Sequence, residues 1–141
     1  MKQTASAIWH GDLKRGSGAL STHSGVLKET PYSFATRFEG AKGTNPEELI
    51  AAAHAGCFSM ALSAQLGSAN LTPSSIETTA TLTLEKLDSG FAITKVHLDV
   101  VGRVPGSDAA AFQKAAENAK SGCPVSKVLK AEITMTAKLE G

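Results

Sequence analysis

The chain is short of several residue types at once. Among 141 residues there are two cysteines, five prolines and seven aromatic side chains (five Phe, one Tyr, one Trp). Two cysteines, Cys57 and Cys123, are too few for the disulfide framework of a small secreted domain. Charge of either sign is also scarce: 14 Lys+Arg against 13 Asp+Glu leave a net +1. No basic block marks a nucleic-acid or anionic-lipid surface, so neither nucleic acid nor membrane is an expected partner. The N-terminal run Met1-Lys2-Gln3-Thr4-Ala5-Ser6-Ala7-Ile8 lacks the unbroken apolar stretch of a signal peptide. The expectation is a cytoplasmic protein whose thiols stay reduced unless oxidation belongs to a cycle. No linker, low-complexity tract or internal repeat appears. At ~150 residues per domain, the length corresponds to one domain over residues 1–141. A chain of this size buries roughly 68% of its unfolded surface and builds a core without staples.

The longest absence lies between Leu49 and Ile76, where there is no Asp, Glu, Lys or Arg. A run of 18 such residues raises the possibility of a membrane span. Leu49–Leu66, however, is diluted by alanines, Gly56, Ser59 and Ser63, holds His54 and Gln65, and has no aromatic or basic anchor on either flank. It reads as a helix buried in a soluble protein, with small side chains that admit close neighbours. Because it has no polar face, one chain is not expected to cover it fully.

Around this helix, the first third is rich in Gly, Ser and Thr and reads as short strands joined by tight turns. Asn45 caps the helix, Pro46 suits its first position, and Glu48 completes the spacing of a capping box. Gly67 and Asn70 end it. Ala80, Leu82 and Leu84, then Val96, Leu98 and Val100, alternate with polar residues as two strands. Ser107 or Asp108 caps a further helix with Phe112, Ala115, Ala116 and Ala119 on one face, and Gly122 stops it. Cys123-Pro124 opens a short helix, and Ile133, Met135, Ala137 and Leu139 face inward on a final strand. The fold class is α+β, a mostly antiparallel sheet wrapped around a long buried central helix.

Few residues carry chemistry. Cys57 sits near the middle of the apolar helix, beyond the reach of the helix dipole, so it is either an inert core thiol or one activated by a cation from elsewhere. Cys123 is an N-cap before Pro124, where free N–H groups favour a thiolate, and local physics alone ranks it first. It can equally be a poor cap. His54 stands at i, i+3 from Cys57, which permits a metal pair but supplies neither four zinc ligands nor an orienting partner for a general base. A core histidine satisfied by hydrogen bonds is the simpler reading. Arg37 lies among apolar residues just before the helix, either exposed on a strand or turned inward to a carboxylate. Glu48 is accounted for by the cap, which leaves Glu47 as the better partner for Arg37, though Glu48 stays open. Ile50, Phe58 and Met60 supply apolar surface near Cys57.

Asn45-Pro46-Glu47-Glu48-Leu49, leading to His54-Ala55-Gly56-Cys57-Phe58, and then Gly122-Cys123-Pro124-Val125-Ser126 closely resemble the OsmC branch of the OsmC/Ohr peroxidase family. Trp9-His10-Gly11-Asp12, Lys14-Arg15-Gly16 and Arg37-Phe38-Glu39-Gly40 extend the likeness over essentially the full length. Gly56 departs from the alanine frequent there, at ~1 kcal/mol of helix stability. The resemblance implies a cysteine peroxidase acting on organic hydroperoxides, less efficiently on hydrogen peroxide, with no cofactor or metal and built as an intertwined homodimer. By position, Cys57 matches the peroxidatic cysteine, Cys123 the resolving one, Arg37 the arginine that stabilises thiolate and peroxide, and Glu47 its positioning carboxylate. This reverses the local ranking of the thiols. It also implies an external dithiol reductant of the lipoyl type. The alternatives are a cysteine-pair redox sensor or thiol-binding module without turnover, a structural dimer with inert thiols, and a hydrolase using Cys57 and His54.

Overall fold

Glycine turns cut the first residues into short pieces. The computed structural model, which describes residues 1–141, shows them as β1 (Ala5–His10), β2 (Ser17–Thr22), β3 (Thr30–Tyr32) and a short helix, α1 (Phe34–Phe38). The strands form an antiparallel sheet in chain order, with Gly18 opposite both Trp9 and Tyr32. Those two rings lie 5.4 Å apart between centroids. A Cβ on Gly18 would fall 2.5 Å from the Tyr32 ring and 2.6 Å from that of Trp9, so only glycine admits this ring pair.

Arg37, with an exposed strand as its simplest sequence reading, stands instead on α1. The Ser33 hydroxyl accepts from the Thr36 N–H at 3.3 Å, and the Thr36 hydroxyl accepts from the Ser33 N–H at 2.9 Å. This reciprocal cap satisfies two orphan donors and holds one helical turn that propensity alone would not.

The chain divides into two compact units, Met1–Leu49 and Ile50–Gly141. The division falls inside α2 (Pro46–Ser68). At its start the Asn45 carboxamide oxygen accepts from the Glu48 N–H at 2.8 Å, and its NH2 donates to the Thr36 carbonyl at 3.0 Å. Only half of the expected box forms, because the Glu48 carboxylate accepts from the Thr44 hydroxyl at 2.9 Å.

In the second unit, β4 (Ser75–Leu87), β5 (Gly90–Arg103) and β6 (Glu132–Leu139) form one sheet in that order. β4 and β5 are an antiparallel hairpin with a register shift at Thr83/Leu84. β6 lies parallel to β5, since α3 (Ala109–Gly122) and α4 (Pro124–Val128) form the crossover that a parallel pair requires. The α+β class and the mostly antiparallel pairing hold, with a single parallel pair; the strands form two three-stranded sheets where one was expected. Asp108, not Ser107, caps α3, accepting from the Ala111 N–H at 2.7 Å.

The core of this unit joins Phe58, Leu62 and Leu66 of α2 to Val96, Leu98 and Val100 of β5, the apolar face of α3, and Cys123. On α2, burial is confined to one stripe spaced by four: His54, Phe58, Leu62 and Leu66. Ala52, Ala53, Gly56, Met60, Ser63 and Ala64 are exposed, Met60 to 77%. α2 is long and apolar enough to cross a membrane by length and composition, but its buried stripe packs into this core.

Gly102 of β5 is where the core tolerates least. A Cβ there would lie 2.4 Å from the ring of Phe112, which is fully buried. Gly102→Ala therefore costs about 1–3 kcal/mol by overpacking. Urea denaturation is expected to show a lower midpoint with an unchanged slope; an unshifted midpoint contradicts this packing.

Candidate active site

The second unit holds a pair of thiols. Cys123 joins two helices. Its N–H donates to the Ala119 carbonyl at 2.8 Å to close α3, and Pro124 after it starts α4. The residue is fully buried. Its Sγ lies 3.0 Å from the Sγ of Cys57 on α2, both as free thiols. Residues 66 positions apart in sequence are thus already within reach of a disulfide after a small approach.

In the fully protonated pair the Cys123 S–H donates to Cys57. Once one proton is lost, the remaining S–H is shared between the two sulfurs, and the surroundings decide where charge rests. Burial pushes the Cys57 thiol up, its hydrogen bond to Cys123 pushes it further, and the Val125 N–H offsets only part. Burial opposes charge on Cys123 too, but is outweighed by the Cys57 S–H, the Ser126 N–H and hydroxyl, and the Val125 N–H, which hold Cys123 below the ordinary thiol value. Within this unit, therefore, the surroundings bias the two thiols in opposite directions, Cys57 up and Cys123 down. A cation is needed to place negative charge on Cys57.

His54 is fully buried, and its Nε2 lies 2.7 Å from the Ser126 hydroxyl. Its Nδ1 is buried with no partner, so the core-histidine reading holds for one ring nitrogen only. Burial lowers its pKa and keeps the ring neutral. Ser126 was not singled out from the sequence, although the available signal was its position three residues after the cap Cys123, where an N3 side chain turns back toward the cap.

The first unit holds the cation. Arg37 Nε donates to both Glu47 carboxylate oxygens at 3.0 and 3.1 Å, and its Nη2 to Oε1 at 2.6 Å. Glu47, not Glu48, is thus the partner of Arg37. The fork fixes the guanidinium plane, which also lies 5.0 Å from the centre of the Phe38 ring. Beside it opens an apolar cleft of about 220 Å³ lined by Trp9, Leu13, Tyr32, Ser33, Phe34, Arg37 and Phe38. Four of the seven aromatic side chains line this cleft, a clustering that was legible in the sequence but not used. The apolar surface expected from Ile50, Phe58 and Met60 does not form as one mouth, because Phe58 is sealed in the core and Met60 stands out in solvent.

Paired thiols at the junction of a long apolar helix and a short one define a cysteine-based redox enzyme. Residues 39–138 match the family described as OsmC-like protein; Arg37 lies just before that span, while Glu47, Cys57 and Cys123 lie within it. The chain is 62% identical to Peroxiredoxin OsmC of Escherichia coli (strain K12), over 95% of this chain and 94% of that protein. It is 34% identical to the organic hydroperoxide resistance protein of Xanthomonas axonopodis pv. citri, over 71% and 69% of the two chains. The crystal structure of the organic hydroperoxide resistance protein OhrB of Bacillus subtilis superposes with a TM-score of 0.68 at 27% identity, covering 97% of this chain and 98% of that one. The chain belongs to the OsmC-like family and is a cysteine-based peroxidase.

His54 makes stability depend on pH with a defined sign. Its folded pKa is below the ordinary value of 6.5, so below that pH the unfolded chain binds a proton that the folded one refuses. Stability from this group is present above the unfolded pKa and is lost as pH falls below it. Urea midpoints of wild type are expected to fall between about pH 7 and 5, and those of His54→Gln to fall less. Equal slopes contradict a buried neutral His54.

Proposed function

We propose that this chain reduces organic hydroperoxides, and hydrogen peroxide less efficiently, through a Cys57 thiolate, a sulfenic acid and a Cys57–Cys123 disulfide. An external dithiol, of the lipoyl type, resets it. The observation that carries this reading is the 3.0 Å separation of two free sulfurs in a buried setting. The names of the E. coli and Xanthomonas relatives supply the substrate class.

An ordinary thiol of pKa ~8.5 is only about 3% thiolate at pH 7. Lowering that by ~2 units takes ~2.7 kcal/mol, which one desolvated guanidinium can supply. Arg37 is the proposed cation, with Glu47 holding it in place so that little freedom is lost when substrate arrives. It draws the pair's charge from Cys123 to Cys57. The thiolate attacks the distal oxygen, the O–O bond breaks, and the alkoxide leaves facing Arg37, which stabilises its charge until it takes a proton. Cys123 then attacks the sulfenic sulfur, and hydroxide leaves as water. The dithiol reduces the disulfide by two exchanges and closes its own. The apolar cleft beside Arg37 favours an organic tail at ~25 cal/mol per Å² of apolar surface buried.

We further propose that residues 1–141 act as one functional domain in a cytoplasmic homodimer, and that association brings the Arg37–Glu47 pair to the thiols. The exposed stripe of α2, with Gly56 and Met60 at its centre, is uncharged and built of small residues that a second copy can approach closely.

Wild type is expected to turn over repeatedly with cumene hydroperoxide and dihydrolipoamide. Cys57→Ser is expected to abolish turnover, and Cys123→Ser to stop recycling through the disulfide. Arg37→Ala is expected to lower the rate at pH 7 about 25-fold, since a thiol of pKa ~6.5 is about 76% thiolate at that pH and one of ~8.5 only about 3%. Consumption of a single equivalent with no further turnover indicates the sensor reading instead. Met60→Glu is expected to sediment as a monomer and lose turnover with it; a fully active dimer contradicts the proposed interface.

A further inference from the structure

The mechanism above leaves one buried group unused. Along the buried stripe of α2, Phe58, Leu62 and Leu66 are apolar and His54 is not. Its ring is fully enclosed, with a hydrogen bond between Nε2 and Ser126 Oγ at 2.7 Å and no partner at Nδ1. A buried polar ring with half its bonds made does not recover the cost of its burial. Leucine would continue the stripe at less cost, so packing does not explain the imidazole. What the one bond connects does.

Four residues meet in two pairs. His54 and Cys57 are one turn apart on α2, neighbours on its surface and about 4.5 Å apart along its axis. Cys123 and Ser126 are likewise three residues apart, at the N-cap and in the first turn of α4. The sulfurs are separated by 3.0 Å, the ring and the hydroxyl by 2.7 Å. The two contacts are successive rungs between α2 and the start of α4, with chain order reversed from one helix to the other. Of the two, α4 is the lightly held one: five residues, none fully buried, and no side-chain hydrogen bond at its N-cap. A helix of that length does not stand by itself. Val125 and Leu129 pack against the core, but apolar contact is non-directional, whereas a hydrogen bond fixes distance and angle.

We propose that the His54–Ser126 hydrogen bond is a clasp that holds the start of α4 against α2, keeping Cys123 within reach of Cys57 while the disulfide closes. Both are positioning residues, acting through the helices that carry the sulfurs. The proposal rests on the peroxidase reading given above.

The two chemical steps make different demands on geometry. The attack on the hydroperoxide uses Cys57 and Arg37 and does not need Cys123 in place. Closure does, since the sulfurs must approach from 3.0 Å to a bond of about 2.05 Å. The Cys123 sulfur attacks the sulfenic sulfur of Cys57, the S–S bond forms and the S–O bond breaks. The departing hydroxide takes up the proton that Cys123 gives and leaves as water. The sulfenic sulfur is reduced and the Cys123 sulfur oxidised by one electron each. A clasp between the two helices thus acts on the second step and not on the first. A side chain that merely packs does not separate the two.

The test is a single turnover of the full-length protein with cumene hydroperoxide, following hydroperoxide loss and disulfide formation separately. In Ser126→Ala, hydroperoxide is expected to be lost at the wild-type rate. Disulfide closure is expected to slow about three- to tenfold, the factor that one net hydrogen bond supplies. His54→Leu is expected to behave alike, and His54→Gln, whose amide both donates and accepts, to restore closure. The double variant, His54→Leu with Ser126→Ala, is expected to close no more slowly than either single one, because one bond is lost only once. Its urea midpoint at pH 7 is expected to be no lower than that of wild type, since both partners of the buried bond are then apolar. Should His54→Leu fail to fold by circular dichroism, the equilibrium of the Cys57–Cys123 disulfide with glutathione decides. Ser126→Ala is expected to shift it about three- to tenfold toward the dithiol, and no shift overturns the proposal. Closure at the wild-type rate in Ser126→Ala also overturns it, while leaving the peroxidase reading intact. So do single effects that multiply in the double variant, or equal slowing of both steps. A wild type that consumes no hydroperoxide overturns the peroxidase reading and this proposal with it.

Discussion

Two free sulfur atoms 3.0 Å apart are the constraint on which the site depends. Neither is in bulk water, and Cys123 is fully enclosed. A single negative charge on the pair must be held by whatever dipoles and cations surround it. The amides and hydroxyl at the start of α4 bias it toward Cys123, whereas the proposed attack on a peroxide needs it on Cys57. Arg37, forked onto Glu47, is the group proposed above to move it to Cys57. The chemistry proposed here begins with a transfer of charge between two sulfurs.

The fold accounts for why such a pair can exist in so small a chain. α2 presents one stripe, His54, Phe58, Leu62 and Leu66, to a core shared with β5 and α3. Cys57 is partly exposed beside that stripe. The crossover of α3 and α4 between two parallel strands carries Cys123 back to it. The opposite stripe of α2 is uncharged, within a run from Leu49 to Ile76 that has no Asp, Glu, Lys or Arg, and is the face proposed above for a second copy. Gly102, pressed against Phe112, shows how little slack the core has.

Local signals in the sequence reported local structure well. Asp108 caps α3, the face of Phe112, Ala115, Ala116 and Ala119 is buried, and the alternation from Ile133 to Leu139 is a strand, because each depends on neighbours within a turn or a pleat. The sequence reading preferred Glu47 for Arg37 by giving Glu48 to the capping box; only half of that box forms, and it is the Thr44 hydroxyl that engages the Glu48 carboxylate. What was not read was partly non-local and partly an uncommon local pattern. The direction of β6 depends on its crossover. The helix under Arg37 depends on a Ser33–Thr36 cap outside the usual pattern. The opposite bias of the two thiols depends on their meeting across 66 positions of sequence. Local physics ranks Cys123 above Cys57, the direction in which its surroundings also lower the Cys123 thiol, whereas the family resemblance implies the opposite order for the reaction.

The most direct measurement is the ultraviolet absorbance of the Cys57 thiolate as a function of pH in Cys123→Ala protein, with Arg37 present and with Arg37→Ala. The account predicts that the thiolate appears about two pH units lower when the guanidinium is present, the separation that ~2.7 kcal/mol of stabilisation requires. Two superimposed curves, both above the range of an ordinary thiol, would contradict it.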